Sequence, residues 1–281
     1  VSKNHYLTLT KPGIIFGNLI TTIGGFYLAK PHASFLLLLF TLLGISLVIA
    51  SGCVFNNFID RDIDQLMERT KYRPSAQGLI SAKTLLYFAS VLGIFGIGIL
   101  FFFTNLLAMC VAIIGLIFYV VFYSLYFKRT SIFGTAIGSI SGAVPPVVGY
   151  CAASGKFDSG AVILLLILVF WQMPHSYAIA IYRLKDYIAA AIPVLPVKKS
   201  LRHTKLTMLV HTIIFAIFSL LPTFFGYEGF YYLGVAIVLS TYWIYVVATG
   251  FKAADDNQWA KRVFLFSIIV ITVLSIMMVI N

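Results

Sequence analysis

Of the 281 residues, 60% are hydrophobic and only 10% are charged, against roughly 25% charged in ordinary soluble domains. So few charges cannot cover a water-soluble surface, which excludes a soluble enzyme, and a 16% aromatic content excludes a disordered chain. What remains is a polytopic membrane protein whose net charge of +11 must sit outside the hydrocarbon, where it favours anionic headgroups or anionic substrates.

Apolar runs long enough to cross a bilayer, about 20 residues each, fall in chain order at 14–29, 34–58, 84–103, 106–127, 132–153, 160–182, 206–225, 230–250 and 263–280. Runs of this length predict helices, because the short alternating strands of a barrel do not give them. The expected fold is therefore an all-α, nine-span bundle, with a single domain over 1–281. The segment 1–12 is polar and mixed, with no short apolar run ending in a cleavage site.

Charge alternates along this plan. The N-terminal tail and the loops 59–83, 128–131, 183–205 and 251–262 hold 18 of the 20 Lys and Arg, while the opposite side holds only Lys30 and Lys156. The positive-inside rule then puts the N-terminus in the cytoplasm and the C-terminus across the membrane. The two long cytoplasmic loops, 59–83 and 183–205, are the natural places for function. Cys53, Cys110 and Cys151 lie far apart, with no zinc or haem-attachment spacing.

Four of the nine acidic residues, Asp60, Asp62, Asp64 and Glu68, fall at the end of the second span. On a continuing helix Asn56, Asp60 and Asp64 stack along one face, while Asp62 points elsewhere. The bland reading is a helix end breaking the surface with its charges solvated. Against it, carboxylates four apart repel, and the C-terminal end of a helix disfavours anions. A cation between them reverses both effects. Magnesium takes oxygen ligands and is usually held by one or two carboxylates plus substrate phosphates, so this face suits a magnesium-bound diphosphate. Arg69, Lys71 and Arg73 follow at alternate positions, which on an extended stretch share one side and could grip phosphate oxygens. Positive-inside charge alone is the competing explanation for them, and more strongly so for Lys128 and Arg129 at the end of span four.

Span six ends Trp171-Gln172-Met173-Pro174-His175. His175 lies eight residues before Arg183, roughly 12 Å inside the membrane end, and an ionisable residue at that depth is a functional candidate. The alternative is a neutral imidazole hydrogen-bonded to another helix. Asp186 is the acid that would face the first acidic stripe across a cleft. The Pro145-Pro146 pair in span five suits a discontinuous helix, which keeps a small-molecule membrane transporter as a rival from another class. The Asp-Gly-x-x-Ala-Arg opening of CDP-alcohol phosphotransferases is missing.

The string Asn56-Asn57-x-x-Asp60-x-x-x-Asp64 resembles the first aspartate-rich motif of UbiA-type intramembrane prenyltransferases. The blocks CVFNNFIDRDIDQLMERTKYRP, GAVPPVVGY, WQMPHSYAIAIYRLKDY and IPVLPV are similar to the branch of that family that farnesylates haem. The likeness runs from Leu9–Ile14 to Trp259–Ile268. The resemblance implies a bundle around a central cleft open to the cytoplasmic side. It implies Mg2+-dependent transfer of the farnesyl group of farnesyl diphosphate to a vinyl group of protohaem IX (haem B), with addition of water, giving haem O and diphosphate. Carried onto this chain, it makes Asn56, Asp60, Asp64 and Asp186 metal ligands, the three aspartates catalytic, and Arg69, Lys71, Arg73 and Lys128 diphosphate-binding. His175 becomes a haem-binding candidate. Ala190 stands where the wider superfamily has a second acid, which favours haem over a quinone precursor, although an aromatic polyprenyltransferase remains the nearest alternative. The setting implied is a bacterial inner membrane, with haem A synthase or a terminal oxidase as protein partners and no nucleic acid.

Overall fold

The computed structural model describes residues 3–30 and 32–280. Within them the chain is all-helical, and nine helices are long and apolar enough to span a membrane. A short helix α1 (Lys3–Thr10) leads into α2 (Pro12–Ala29). Pro12 opens α2 where a missing N–H costs nothing, and Lys11 before it is held at φ 53°, a conformation that non-glycine residues seldom adopt. Next come α3 (Phe35–Ile59), a single turn α4 (Arg61–Asp64), α5 (Ala82–Phe103) and α6 (Leu106–Thr130). The chain continues through α7 (Gly134–Ser154), α8 (Ser159–Tyr182) and the short α9 (Leu184–Ala189) and α10 (Leu195–Lys198). It ends with α11 (Leu201–Phe224), α12 (Phe230–Ala248) and α13 (Asp256–Ile280).

Helix starts are marked by side chains that accept otherwise unpaired N–H groups. The side chains of Ser81, Asn105, Asp158 and Ser200 accept from the N–H of Thr84, Ala108, Gly160 and His203 respectively. Gly155 ends α7 at φ 67°, the left-handed turn that glycine adopts without strain.

Neighbouring spans pack in sequence, α3 on α5, α7 on α8, α8 on α11 and α11 on α12, and α13 closes the circuit by packing on α2. Helices α2 and α7 meet backbone to backbone. A Cβ on Gly25 would collide with the Pro146 carbonyl oxygen, and one on Gly149 with the Thr22 carbonyl oxygen. Small residues let the two backbones touch, which is how helices associate where lipid removes the hydrophobic driving force. Ile94, Phe95 and Phe102 on α5 face outward, 63–76% exposed. Apolar exposure of this extent belongs against lipid, so the chain is a multi-pass integral membrane protein.

Span boundaries differ from the sequence expectation most at α13. It starts at Asp256, not 263, because the polar turn DNQWAKR is helical beyond the apolar run. Helix α7 runs unbroken through Pro145 and Pro146, so the discontinuous span expected of a transporter does not form.

Candidate active site at one end of the bundle

Asn56 lies in the last turn of α3, at the end of the bundle where α2 and α5 begin. Helix α3 stops at Ile59, yet the Asp60 N–H donates to the Asn56 carbonyl and the Asp64 N–H to the Asp60 carbonyl, both at 2.8 Å. The i, i+4 ladder thus continues across the break and keeps Asn56, Asp60 and Asp64 in register. All three are buried, with exposures of 3%, 0% and 1%. Buried carboxylates are costly unless paired, and both are paired. Lys128 Nζ donates to Asp60 Oδ2, Arg129 Nη2 stands 3.7 Å from Asp60 Oδ1, and Arg73 Nη1 donates to Asp64 Oδ2 at 2.7 Å. Asn56 Nδ2 donates to Asp60 Oδ2 at 2.6 Å and to Ser124 Oγ at 3.1 Å. Lys11 Nζ donates to Asn56 Oδ1 at 2.7 Å, and burial lowers its pKa to about 8. Asp62 points away and takes a two-pronged contact from Arg129 at 2.6 and 2.7 Å, which pulls its carboxyl down to about 2.

The end of α6 shapes one wall. From Phe118 to Phe127 the helix widens to π spacing, a rare form that is frequent at functional sites. This stretch brings Ser124 onto Asn56 and sets the Tyr123 ring 5.9 Å from Lys128 Nζ, with Tyr119 stacked 5.8 Å behind it.

Asp186, on the second long loop, meets the first, its Oδ1 accepting from the Glu68 N–H at 3.0 Å. The loops are joined beneath by the buried side chains of Ile63, Met67, Ala190 and Ile192. Ala190, where the superfamily has an acid, packs in this apolar contact. Burial there raises the Tyr187 pKa. The expected extended stretch at 69–73 is instead a series of turns, with the Lys71 N–H bonded to the Met67 carbonyl and the Arg73 N–H to the Thr70 carbonyl. Turns send the three cations apart. Arg73 meets Asp64, Lys71 pairs with Glu68 at 2.7 Å, and Arg69 is exposed. His175 lies apart from the acids, its Nδ1 2.7 Å from Ser267 Oγ of α13 and its ring stacked on Trp171. That contact is the hydrogen bond to another helix that the alternative reading expects.

Among the described residues, no three His, Cys, Asp or Glu side chains converge closely enough to hold a metal ion. The donor set nonetheless suits a hard divalent cation. Among the described residues Asp60 Oδ1 is buried without a hydrogen-bond partner, Asp64 lies one turn away, and magnesium needs only one or two carboxylates when phosphate supplies the rest. Lys11, Ser124 and Tyr119 join the site without any spacing in the sequence that marks them. The one available signal was Lys11, inside the motif LTKPGI.

The chain matches the UbiA prenyltransferase family over residues 18–269. The chain belongs to this family. It is similar to protoheme IX farnesyltransferase of Yersinia pseudotuberculosis, 58% identical over 98% of this chain and 93% of that one. Against protoheme IX farnesyltransferase 2 of Pseudomonas fluorescens it is 53% identical over 99% and 95%. As a UbiA-family prenyltransferase it also shares its fold with solved structures of low sequence identity. Digeranylgeranylglyceryl phosphate synthase superposes with a TM-score of 0.80 at 21% identity, covering 98% of each chain. A UbiA homologue from Archaeoglobus fulgidus, solved bound to GPP and Mg2+, gives 0.74 at 13% identity over 98% and 99%.

Proposed function

We propose that this prenyltransferase farnesylates haem B, producing haem O and diphosphate. The observation that carries the reading is its 58% identity, over nearly the whole length, to a protoheme IX farnesyltransferase. The buried Asn56–Asp60–Asp64 rim supplies chemistry that fits. Asp60 and Asp64, with Asn56 and Asp186, would hold Mg2+, which when bound neutralises the departing diphosphate.

The remaining work belongs to the chain's own side chains. Ligand binding at the carboxylates displaces Lys128 and Arg73 from them, and the freed cations turn onto the diphosphate oxygens. Arg69 and Lys71 supply further positive charge along the exposed side of the same loop. As the allylic C–O bond breaks, its electron pair leaves with the diphosphate. The Tyr119 and Tyr123 faces border the farnesyl cation and stabilise it by about 0.5–2 kcal/mol each. The haem vinyl group supplies the electrons of the new C–C bond. Water closes the resulting carbocation as a hydroxyl group, and its proton passes to diphosphate. His175 belongs to the haem-binding part of the cleft. The charge pattern supports a cytoplasmic rim and N-terminus, the C-terminus opposite, in a bacterial inner membrane. Haem O would pass to haem A synthase or a terminal oxidase.

Purified protein incubated with haem B, farnesyl diphosphate and Mg2+ should yield haem O by mass analysis. Unchanged haem, with prenylation of an aromatic quinone precursor instead, would replace this reading with the aromatic polyprenyltransferase one.

A further inference from the structure

A second feature lies at the same end of the bundle, between the last turn of α8 and the first turns of α13. There a cavity of about 300 Å³ is lined by Tyr182, Arg183, Asn257, Lys261 and Phe264. No acid is among the residues that line it. Arg183 lies 5.0 Å over the Tyr182 ring, and among the described residues neither it nor Lys261 forms an ion pair. The nearby acids are engaged elsewhere: Asp256 with Lys205 at 2.5 Å, Asp255 with the N–H groups of Asn257 and Gln258, and Asp186 with the Glu68 N–H.

From this charged mouth a column of rings leads inward. Tyr182 and Phe264 lie 5.8 Å apart, Phe264 and His175 4.8 Å, and His175 and Trp171 4.6 Å. A flat apolar body with an anionic edge matches this arrangement. Aromatic faces take the body, and unpaired cations at the wet end take carboxylates by charge-assisted hydrogen bonds.

We propose that Arg183 and Lys261, with the Asn257 carboxamide, bind the propionate carboxylates of the acceptor haem. The macrocycle lies along Tyr182, Phe264 and His175. The inference rests on the haem-farnesylating reading above and adds to it the residues that orient the acceptor. The diphosphate is held by a separate set of cations, so the two substrates are recognised by different charges at the same membrane face.

The test uses full-length protein in nanodiscs of zwitterionic lipid, titrated with haem B and with its dimethyl ester, whose propionates carry no charge. Wild-type protein should bind haem B at least tenfold more tightly than the ester. Arg183→Gln with Lys261→Gln should erase that preference and raise KM for haem B at least tenfold, leaving KM for farnesyl diphosphate unchanged. The charge-keeping pair Arg183→Lys with Lys261→Arg should restore the preference. A double Gln variant that still converts haem B and still prefers it over the ester would overturn the subsite and leave the proposed function standing. So would a preference that follows added anionic lipid in place of esterification, since the cations would then serve headgroups. Wild-type protein that converts no haem B would instead remove the proposed function, and this inference with it.

Discussion

The acidic rim and the α8–α13 mouth sit at the same end of the bundle and handle charge in opposite ways. At the rim each buried carboxylate already faces a cation, Asp60 with Lys128 and Asp64 with Arg73. At the mouth Arg183 and Lys261 line a cavity with aromatic walls and no acid. A rim closed on itself must exchange partners when metal and diphosphate arrive. An open mouth takes its ligand without rearrangement. The difference fits the ligands proposed for each. A dication with a highly charged leaving group can displace internal ion pairs, whereas two carboxylates at a wet interface are held by contacts of about 1.5–3 kcal/mol and gain from cations that are already free.

The largest effect should come from removing the rim's carboxylates. Asp60→Asn or Asp64→Asn should cut haem O formation about a thousandfold, roughly 4 kcal/mol in the barrier. The amide keeps the side chain's shape but not its charge, so membrane insertion and helical circular dichroism should stay intact. Activity within tenfold of wild type in the double variant would break the assignment of the metal to this end.

Lys128→Met tests the exchange itself. It leaves Asp60 buried without its main partner, and breaking a buried pair typically costs about 3–5 kcal/mol. With chelator present, the melting temperature in detergent should fall by several degrees. Adding Mg2+ and diphosphate should recover most of that loss, because the same carboxylate then has a new partner. A loss that Mg2+ and diphosphate do not reverse would mean the pair is purely structural.

His175→Ala should act more weakly and only on the acceptor. The haem absorption spectrum should shift and KM for haem B should rise about tenfold, with KM for farnesyl diphosphate unchanged. Its Nδ1 is hydrogen-bonded to Ser267, so Ser267→Ala is the companion variant. It frees the imidazole while leaving it in place, and haem binding should be kept.

Much of the scaffold could be read in advance because its causes are local. Continuous apolar runs and one-sided basic loops mark nine spans, and the four-residue spacing of Asn56, Asp60 and Asp64 survives even though α3 ends at Ile59. What escaped depends on neighbours distant in sequence. Lys11 reaches Asn56 across 45 positions, and Ser124 reaches it across 68 from the stretch of α6 that widens to π spacing, which no apolar pattern announces. The alternation of Arg69, Lys71 and Arg73 misled because spacing alone does not distinguish a strand from successive turns. Only Arg73 meets a rim carboxylate. Arg183 and Lys261 lie 78 positions apart, and as sequence they read as ordinary positive-inside charge.

The far end of the bundle offers the smallest effect and a control for both regions. Glu228, in the turn between α11 and α12, is 6% exposed. Its Oε2 and the buried Tyr232 hydroxyl have no hydrogen-bond partner among the described residues. Burial pushes its carboxyl up to about 7, from 4.5, so the folded chain keeps a proton that the unfolded chain has already lost. Stability should therefore fall as pH rises from about 4.5 to about 7, with the loss complete above that. Glu228→Gln holds the neutral form at every pH. It should flatten this slope and stabilise the protein by on the order of 1 kcal/mol at pH 8, measured as the difference in melting temperature between pH 5 and pH 8. Haem O formation should not change, because no proposed ligand touches this end. A loss of activity in Glu228→Gln would show that charge at the far side is coupled to the rim or the mouth, and the contrast drawn between those two regions would then have to include a third.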